Sequence, residues 1–195
     1  MSPAPSAPQP AAAGPSVTSC FLKTSEPQLV SLHLAAMYHV KHHEIVLVSP
    51  FLDLTLFGSG HPFGRFLDRA VEEDTLVFLI TSSDHDVERL PFFKSLEERG
   101  IFVYFVDRLH TKLYYFDVDL DSRNQWQLGV QSHFIIGSSN LTIPGLGFGD
   151  GKPNEELNCR VSSELLDDTR TYIERLKTQA DDFKRFEFKS KRRSR

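Results

Sequence analysis

The sequence predicts an α/β domain: a mixed, largely parallel β-sheet with helices on both faces. Three observations lead there. Short runs that are apolar on both strand faces recur, "EIVLV", "TLVFLIT" and "IFVYFV"; segments with three- and four-residue apolar spacing lie between them; and no helix-like segment separates "HTKLYYFD" from "SHFIIG". Strands that are apolar on both faces and alternate with helices need cover above and below, which parallel sheets with crossover helices supply. The third observation makes part of the sheet antiparallel.

Residues 1–19 are rich in Ala, Pro and Ser and lack a basic n-region and a Leu/Val-rich h-region, so they read as a disordered leader. "QLVSLHLAAMYHV", residues 28–40, has helical apolar spacing, and "EIVLVSPF" is a buried strand stopped by Pro50. "FGRFLDRAVEED" reads as an amphipathic helix and "TLVFLIT" as a second strand. The next helix begins near Pro91 and ends at Gly100, which suit a first-turn position and the left-handed position past a helix end. "IFVYFV" follows as a third strand. "HTKLYYFD", "SHFIIG" and "ELNCRV" are further strands, and a helix over about 164–180 closes a single domain of residues 20–182.

With 195 residues, 40% of them hydrophobic, the chain can bury one substantial core. No apolar run approaches the roughly 20 residues that span a bilayer, so a soluble, cytoplasmic protein without a membrane partner is expected. The two cysteines, Cys20 and Cys159, have no CxxC spacing and fit two unlinked thiols in a reducing cytosol better than a disulfide or a metal site. Net charge is −4, yet residues 183–195 carry Lys184, Arg185, Lys189, Lys191, Arg192, Arg193 and Arg195 against Glu187 alone. Such a basic tail is either simply solvated or adds sequence-independent attraction to a phosphate backbone.

Chemistry concentrates around His110. In a regular strand, His110, Lys112, Tyr114 and Phe116 share one face, so the histidine and lysine can meet one ligand, while Asp117 points away and takes a structural role. Downstream, "FIIGSSNLT" runs an apolar strand into Gly137, Ser138, Ser139 and Asn140, where a glycine permits close backbone approach and polar groups can face an anion. In "NEELNCRV", Glu155, Leu157, Cys159 and Val161 alternate against Glu156, Asn158 and Arg160, which leaves Glu156 as the carboxylate for a polar site.

These residues match a pattern. His110-x-Lys112, four residues, Asp117, then Gly137-Ser138-x-Asn140 resembles the HKD motif of the phospholipase D superfamily, and "GSSNLT...GL...NEELN" resembles the segment that follows it. The resemblance covers about residues 110–161 and implies a phospholipase D-like fold. One departure is the long stretch "VDLDSRNQWQLGVQSHFII" between aspartate and glycine, of which "DLDSRNQWQLG" is read as a lengthened hairpin loop that leaves the two motif strands able to pair. The resemblance implies that His110 is a nucleophile forming a phosphohistidine, that Lys112 and Asn140 hold the non-bridging oxygens, and that Ser138 supports that cradle; Ser139, in the same polar run, is a further candidate for substrate contact. It implies too that Glu156 accepts a hydrogen bond from the other ring nitrogen of His110. The scheme needs no metal or cofactor.

Members of this superfamily use two such histidines, and this chain has one full motif. His39-Val40-Lys41 fails, having Val46 at the aspartate position and no GSxN after it. Single-motif members form homodimers across a two-fold axis, so a C2 dimer is expected. An isolated HxK is weak in a chain with eight histidines; the aspartate, the GSxN and the glutamate carry the signal. His39, His42, His43 and Glu44 suggest a polar helix end more than a metal site, and His85 and His133 have no evident partners.

The implied function is a metal-independent phosphodiesterase, first a nuclease acting on DNA or RNA, of the kind found in bacterial restriction or phage defence. The basic tail supports it, while the acidic body confines any nucleic-acid groove to a local patch; Trp126 in the long loop either stacks on bases or, in the commoner role, anchors the loop. A phospholipase or phosphatidyl transferase is the second enzymatic reading; a non-catalytic subunit of a defence or DNA-modification complex is the third.

Overall fold

His42–Val48 (β2), Leu76–Ser82 (β3) and Ile101–Val106 (β4) are the apolar strands that the sequence marks out, and they lie side by side in parallel. The computed structural model describes residues 19–23, 34, 37–84, 87–122, 131–148, 154, 156–161 and 165–182. The leader up to residue 18, the basic tail 183–195, His85, Trp126 and most of the helix expected over 28–40 lie outside these residues. Of residues 28–40, Leu34 and Met37 are described as helical and buried, and residues 38–40 turn away from the helix, with the Val40 amide donating to the Met37 carbonyl at 3.0 Å.

The connections between the parallel strands are helical, as crossovers require. Pro62–Glu72 (α1) joins β2 to β3, and Leu90–Glu98 (α2) joins β3 to β4. α1 starts with Pro62 in its first turn and with the His61 Nδ1 accepting from the Phe63 amide at 3.1 Å. α2 carries Pro91 in its first turn, and Gly100 beyond its end has φ +86°, the left-handed conformation a glycine adopts without a Cβ penalty.

After β4 the sheet turns antiparallel. Leu113–Val118 (β5) pairs with β2 on the edge opposite β3, and His133–Gly137 (β6) and Glu156–Val161 (β7) add in turn. Ser19–Lys23 (β1) and Asp181–Asp182 (β8) close the two edges, giving the order β1-β7-β6-β5-β2-β3-β4-β8. The sheet is mixed, as expected, but two of the seven pairings among the described strands are parallel, so "largely parallel" holds for the β2-β3-β4 half only. The reason is local. Between β5 and β7 the described chain contains one helix, the single turn Ile143–Leu146 (α3), too short for a crossover across the sheet.

Helices cover both faces. Phe63, Phe66 and Leu67 of α1 with Phe93 and Leu96 of α2 pack on Ile45, Leu47, Val77, Leu79, Tyr114 and Phe116. On the other face, Ile173 and Leu176 of Leu166–Gln179 (α4) pack on Val46, Val48, Ile80, Leu113, Tyr115 and Phe134. Burying such side chains contributes about 1.5–3 kcal/mol each.

This order of strands positions the site. Leaving β4, the chain has to pass the ends of β3 and β2 before it enters β5, so residues 107–112 lie across the carboxyl ends of the parallel strands. Ligand sites of open α/β sheets gather at such ends. Arg108 turns the segment in the left-handed region, φ 55°.

Candidate active site

His110 and Lys112 precede β5, which begins at Leu113, so strand alternation does not aim them. That corrects the strand reading of "HTKLYYFD". They nevertheless line one groove of about 980 Å³, with Thr111, Gly137 and Ser138 beside them. Thr111 is tied to α4 by a 2.6 Å hydrogen bond between its hydroxyl and the Tyr172 phenol, and the Lys112 ammonium donates to the His110 carbonyl at 3.1 Å. His110 is exposed, and its ring has no hydrogen-bond partner among the described residues.

The second half of the motif meets the first through backbone. β5 pairs with β6 with Leu113 opposite Ile136, and the Gly137 amide donates to the Lys112 carbonyl at 3.4 Å. The motif strands therefore pair as expected; the loop tip 123–130 lies outside the described residues. Gly137 is required for packing on β7: a Cβ there would sit 2.2 Å from Asn158 Oδ1 and 2.3 Å from the Leu157 carbonyl. The close approach that the glycine permits is to a neighbouring strand.

Ser138 is exposed and lines the groove, but its hydroxyl is engaged. It donates to the Glu156 carboxylate and accepts from the Leu157 amide at 3.0 Å, while the Ser138 amide donates to the Leu157 carbonyl at 3.0 Å. Ser139 is fully buried: its hydroxyl accepts from Asn158 Nδ2 at 2.8 Å, and its carbonyl accepts from the Tyr114 phenol at 2.5 Å. It clamps β6 to β7 and β5, which corrects its reading as a substrate contact. Asn140 is half-buried and makes no side-chain hydrogen bond to a described residue; its Oδ1 is buried and unpartnered. It does not line the His110 groove.

Glu156 is buried, and its carboxylate accepts from Ser138 and from Asn154 Nδ2 at 3.2 Å. The expected hydrogen bond from His110 is not made. Along β7, Leu157, Cys159 and Val161 line the groove, so alternation puts Glu156 on the opposite face. The Tyr114 phenol, packed on that opposite face, is pushed above its ordinary pKa by burial and by the Glu156 charge.

Asp117 is engaged away from the groove. It accepts from the Ser132 hydroxyl at 2.8 Å and from Arg170 of α4 at 2.9 Å, and Arg170 also donates to the Tyr115 phenol at 2.7 Å. The cluster His39, His42, His43 and Glu44 disperses. His42 is buried against Phe66 and Phe116, His43 lies 3.6 Å from Asp119, His39 meets Arg69, and Glu44 accepts from Lys177. His133 finds partners that the sequence did not suggest, stacking on Phe116 with centroids 5.4 Å apart and contacting the Gln131 carbonyl at 2.7 Å.

Sequence reasoning missed Phe51. It lines a second depression with Leu52, Asp84, Arg89 and Leu109, the residue preceding His110. Ser49, Pro50 and Leu52 are buried around it while Phe51 is 60% exposed. The loop is held by Ser49 Oγ, which donates to the Phe51 carbonyl at 2.8 Å and accepts from the Leu141 amide at 3.0 Å. The Asp53 amide adds a bond to the Leu141 carbonyl at 2.8 Å. The signal available was an aromatic residue just past the end of a buried strand.

No family model matches the chain, and no curated protein matches it in sequence. Solved structures do match in shape. NucT from Helicobacter pylori superposes with a TM-score of 0.61 at 11% identity, and Nuc from Salmonella typhimurium, a phospholipase D family member, with 0.58 at 16%; each match covers 84% of this chain and 97% of the other. Phosphatidylserine synthase of Haemophilus influenzae gives 0.55 at 12% identity, over 86% of this chain and 39% of the synthase. In chain order, sheet and helical cover, this protein has a phospholipase D-like fold.

Proposed function

We propose that the protein is a phosphodiesterase that cleaves DNA or RNA through a phosphohistidine at His110. The observation that carries the reading is His110 itself: an exposed imidazole without a hydrogen-bond partner among the described residues, beside the Lys112 ammonium, at the carboxyl ends of the parallel strands. A neutral ring nitrogen attacks phosphorus, the P–N bond forms, and the P–O bond to the leaving group breaks. Lys112 balances charge on the non-bridging oxygens. The leaving alkoxide takes a proton from a second His110 on a symmetry mate, which then removes a proton from the water that hydrolyses the phosphohistidine.

Asn140 would donate to a non-bridging oxygen through Nδ2; it stands outside the His110 groove in the free protein, so its part in this reading rests on the motif. Glu156 acts as a positioning residue through Ser138, which lies against Lys112 by way of Gly137. The nucleic-acid reading is favoured by size, because the compact chains of NucT and Nuc are matched over nearly their whole length, whereas the synthase is matched over 39% of its own.

One observation favours a phosphatidyl substrate as the second reading. The groove beside His110 is walled by Leu113, Phe134, Ile136, Leu157 and Val161, with Leu157 52% exposed. One experiment separates the two. Purified protein and its His110→Asn variant are incubated with labelled DNA, RNA and phosphatidylcholine vesicles in excess EDTA. Nucleic-acid cleavage by the unsubstituted protein alone supports the first reading; lipid turnover without it supports the second. Cleavage that EDTA abolishes, or that His110→Asn retains, removes the phosphohistidine scheme.

A further inference from the structure

The chain has two cysteines, and the strand register sets them opposite each other. β1 pairs with β7 in antiparallel fashion with Cys20 across from Cys159, between the pairs Ser19 with Arg160 and Phe21 with Asn158. Residues directly opposite in an antiparallel pair have Cα atoms about 4.5 or 5.5 Å apart, depending on whether the pair is hydrogen-bonded. Both spacings fall inside the roughly 4.4–6.8 Å that a disulfide spans. Sequence spacing conceals this, because nearly the whole domain separates the two positions in the chain.

We propose that Cys20 and Cys159 are a reversible oxidation site that forms an intrachain disulfide between β1 and β7. Cys159 is a half-buried thiol on the wall of the groove that His110 and Lys112 also line, so a small disulfide in solution can reach it. With oxidised glutathione as oxidant, the Cys159 thiolate attacks the S–S bond and expels one glutathione thiolate. The Cys20 thiolate then attacks the Cys159 sulfur of the mixed disulfide and expels the second. Two protein thiols and one glutathione disulfide become one protein disulfide and two glutathione thiols.

The link acts on the site's scaffold. In the same register Lys23 stands opposite Glu156 and Leu22 opposite Leu157, so a bond three residues further along fixes β1 against the strand that carries Glu156 and the groove wall. The cross-link closes most of the domain into one loop, which restricts the unfolded chain strongly.

The full chain is equilibrated in glutathione buffers of increasing oxidised fraction, alkylated, digested and analysed by mass spectrometry, with melting followed in parallel. The expected product is a monomeric chain in which the Cys20 and Cys159 peptides are joined, reversed by excess reduced glutathione. Its Tm should be higher by roughly 5–15 °C, and Cys20→Ser should abolish both the link and the shift. Two results would overturn the proposal: thiols that stay alkylatable, or that stop at separate glutathione adducts, throughout the series, and a link found only between chains on a non-reducing gel.

Discussion

The Gly137 amide donates to the Lys112 carbonyl at 3.4 Å, and this contact joins two segments that are 25 residues apart in sequence at one end of the sheet. From it the site continues to Ser138, whose hydroxyl holds Glu156 and whose amide holds Leu157. The geometry leaves no room at position 137 for a side chain, because the would-be Cβ meets backbone and an engaged amide. Gly137→Ala should therefore cost at least about 2 kcal/mol of stability, read as a shift in the urea midpoint without a change in slope. An unchanged midpoint would mean that β6 and β7 are further apart than described.

Asp117 and Arg170 make a second testable contact. Asp117→Ala removes the acceptor of both Ser132 and Arg170, and with Arg170 about half exposed the loss should be modest, about 1 kcal/mol. Because Asp117 lies far along β5 from His110, kcat/KM at 25 °C should stay within about twofold. A collapse of activity in a folded Asp117→Ala protein would give the aspartate a chemical role.

The buried histidines make stability depend on pH. His42 and His133 flank Phe116, and burial lowers each to about 4, with the His133 charge adding to the effect for His42 and the Arg160 charge for His133. The folded pKa is below the unfolded value of 6.5, so the unfolded chain takes up protons first as pH falls. Stability is thus full above about pH 6.5 and is lost progressively towards pH 4, by up to roughly 3 kcal/mol per ring. Urea midpoints across this window should fall steeply, and His133→Phe should flatten the fall. A flat profile from pH 7 to 4 in the parent protein would contradict the burial.

Phe51 stands at the surface beside the segment that leads into His110. If the substrate is single-stranded nucleic acid, an aromatic face at this place offers a stacking position worth about 1–3 kcal/mol. Phe51→Ala should raise KM for an oligonucleotide about tenfold or more with kcat little changed, and Phe51→Trp should restore it. Equal KM values for all three proteins would exclude stacking there.

Much of this fold was legible because its signals are local. Pro91 and Gly100 bracket α2, and the apolar runs at β2, β3 and β4 left no alternative to buried strands. The site was legible as composition and less so as geometry. His110 and Lys112 came out together, but through a crossing loop whose turn at Arg108 no periodicity reports. Glu156 was expected to face His110, whereas strand alternation about Leu157 and two hydrogen bonds turn it to Ser138 and Asn154. Ser139 looked like a ligand because serines beside a glycine often are; its burial depends on Asn158 and Tyr114, contacts across strands that a linear reading cannot see. The opposition of Cys20 and Cys159 was hidden for the same reason.

The most direct test of the central claim is a single-turnover reaction with a labelled phosphodiester, quenched under alkaline conditions that preserve phosphohistidine and mapped by mass spectrometry. The account predicts a transient phosphate adduct on His110 that forms in EDTA and disappears as product accumulates. Turnover without any adduct at His110, or an adduct on another residue, would contradict it.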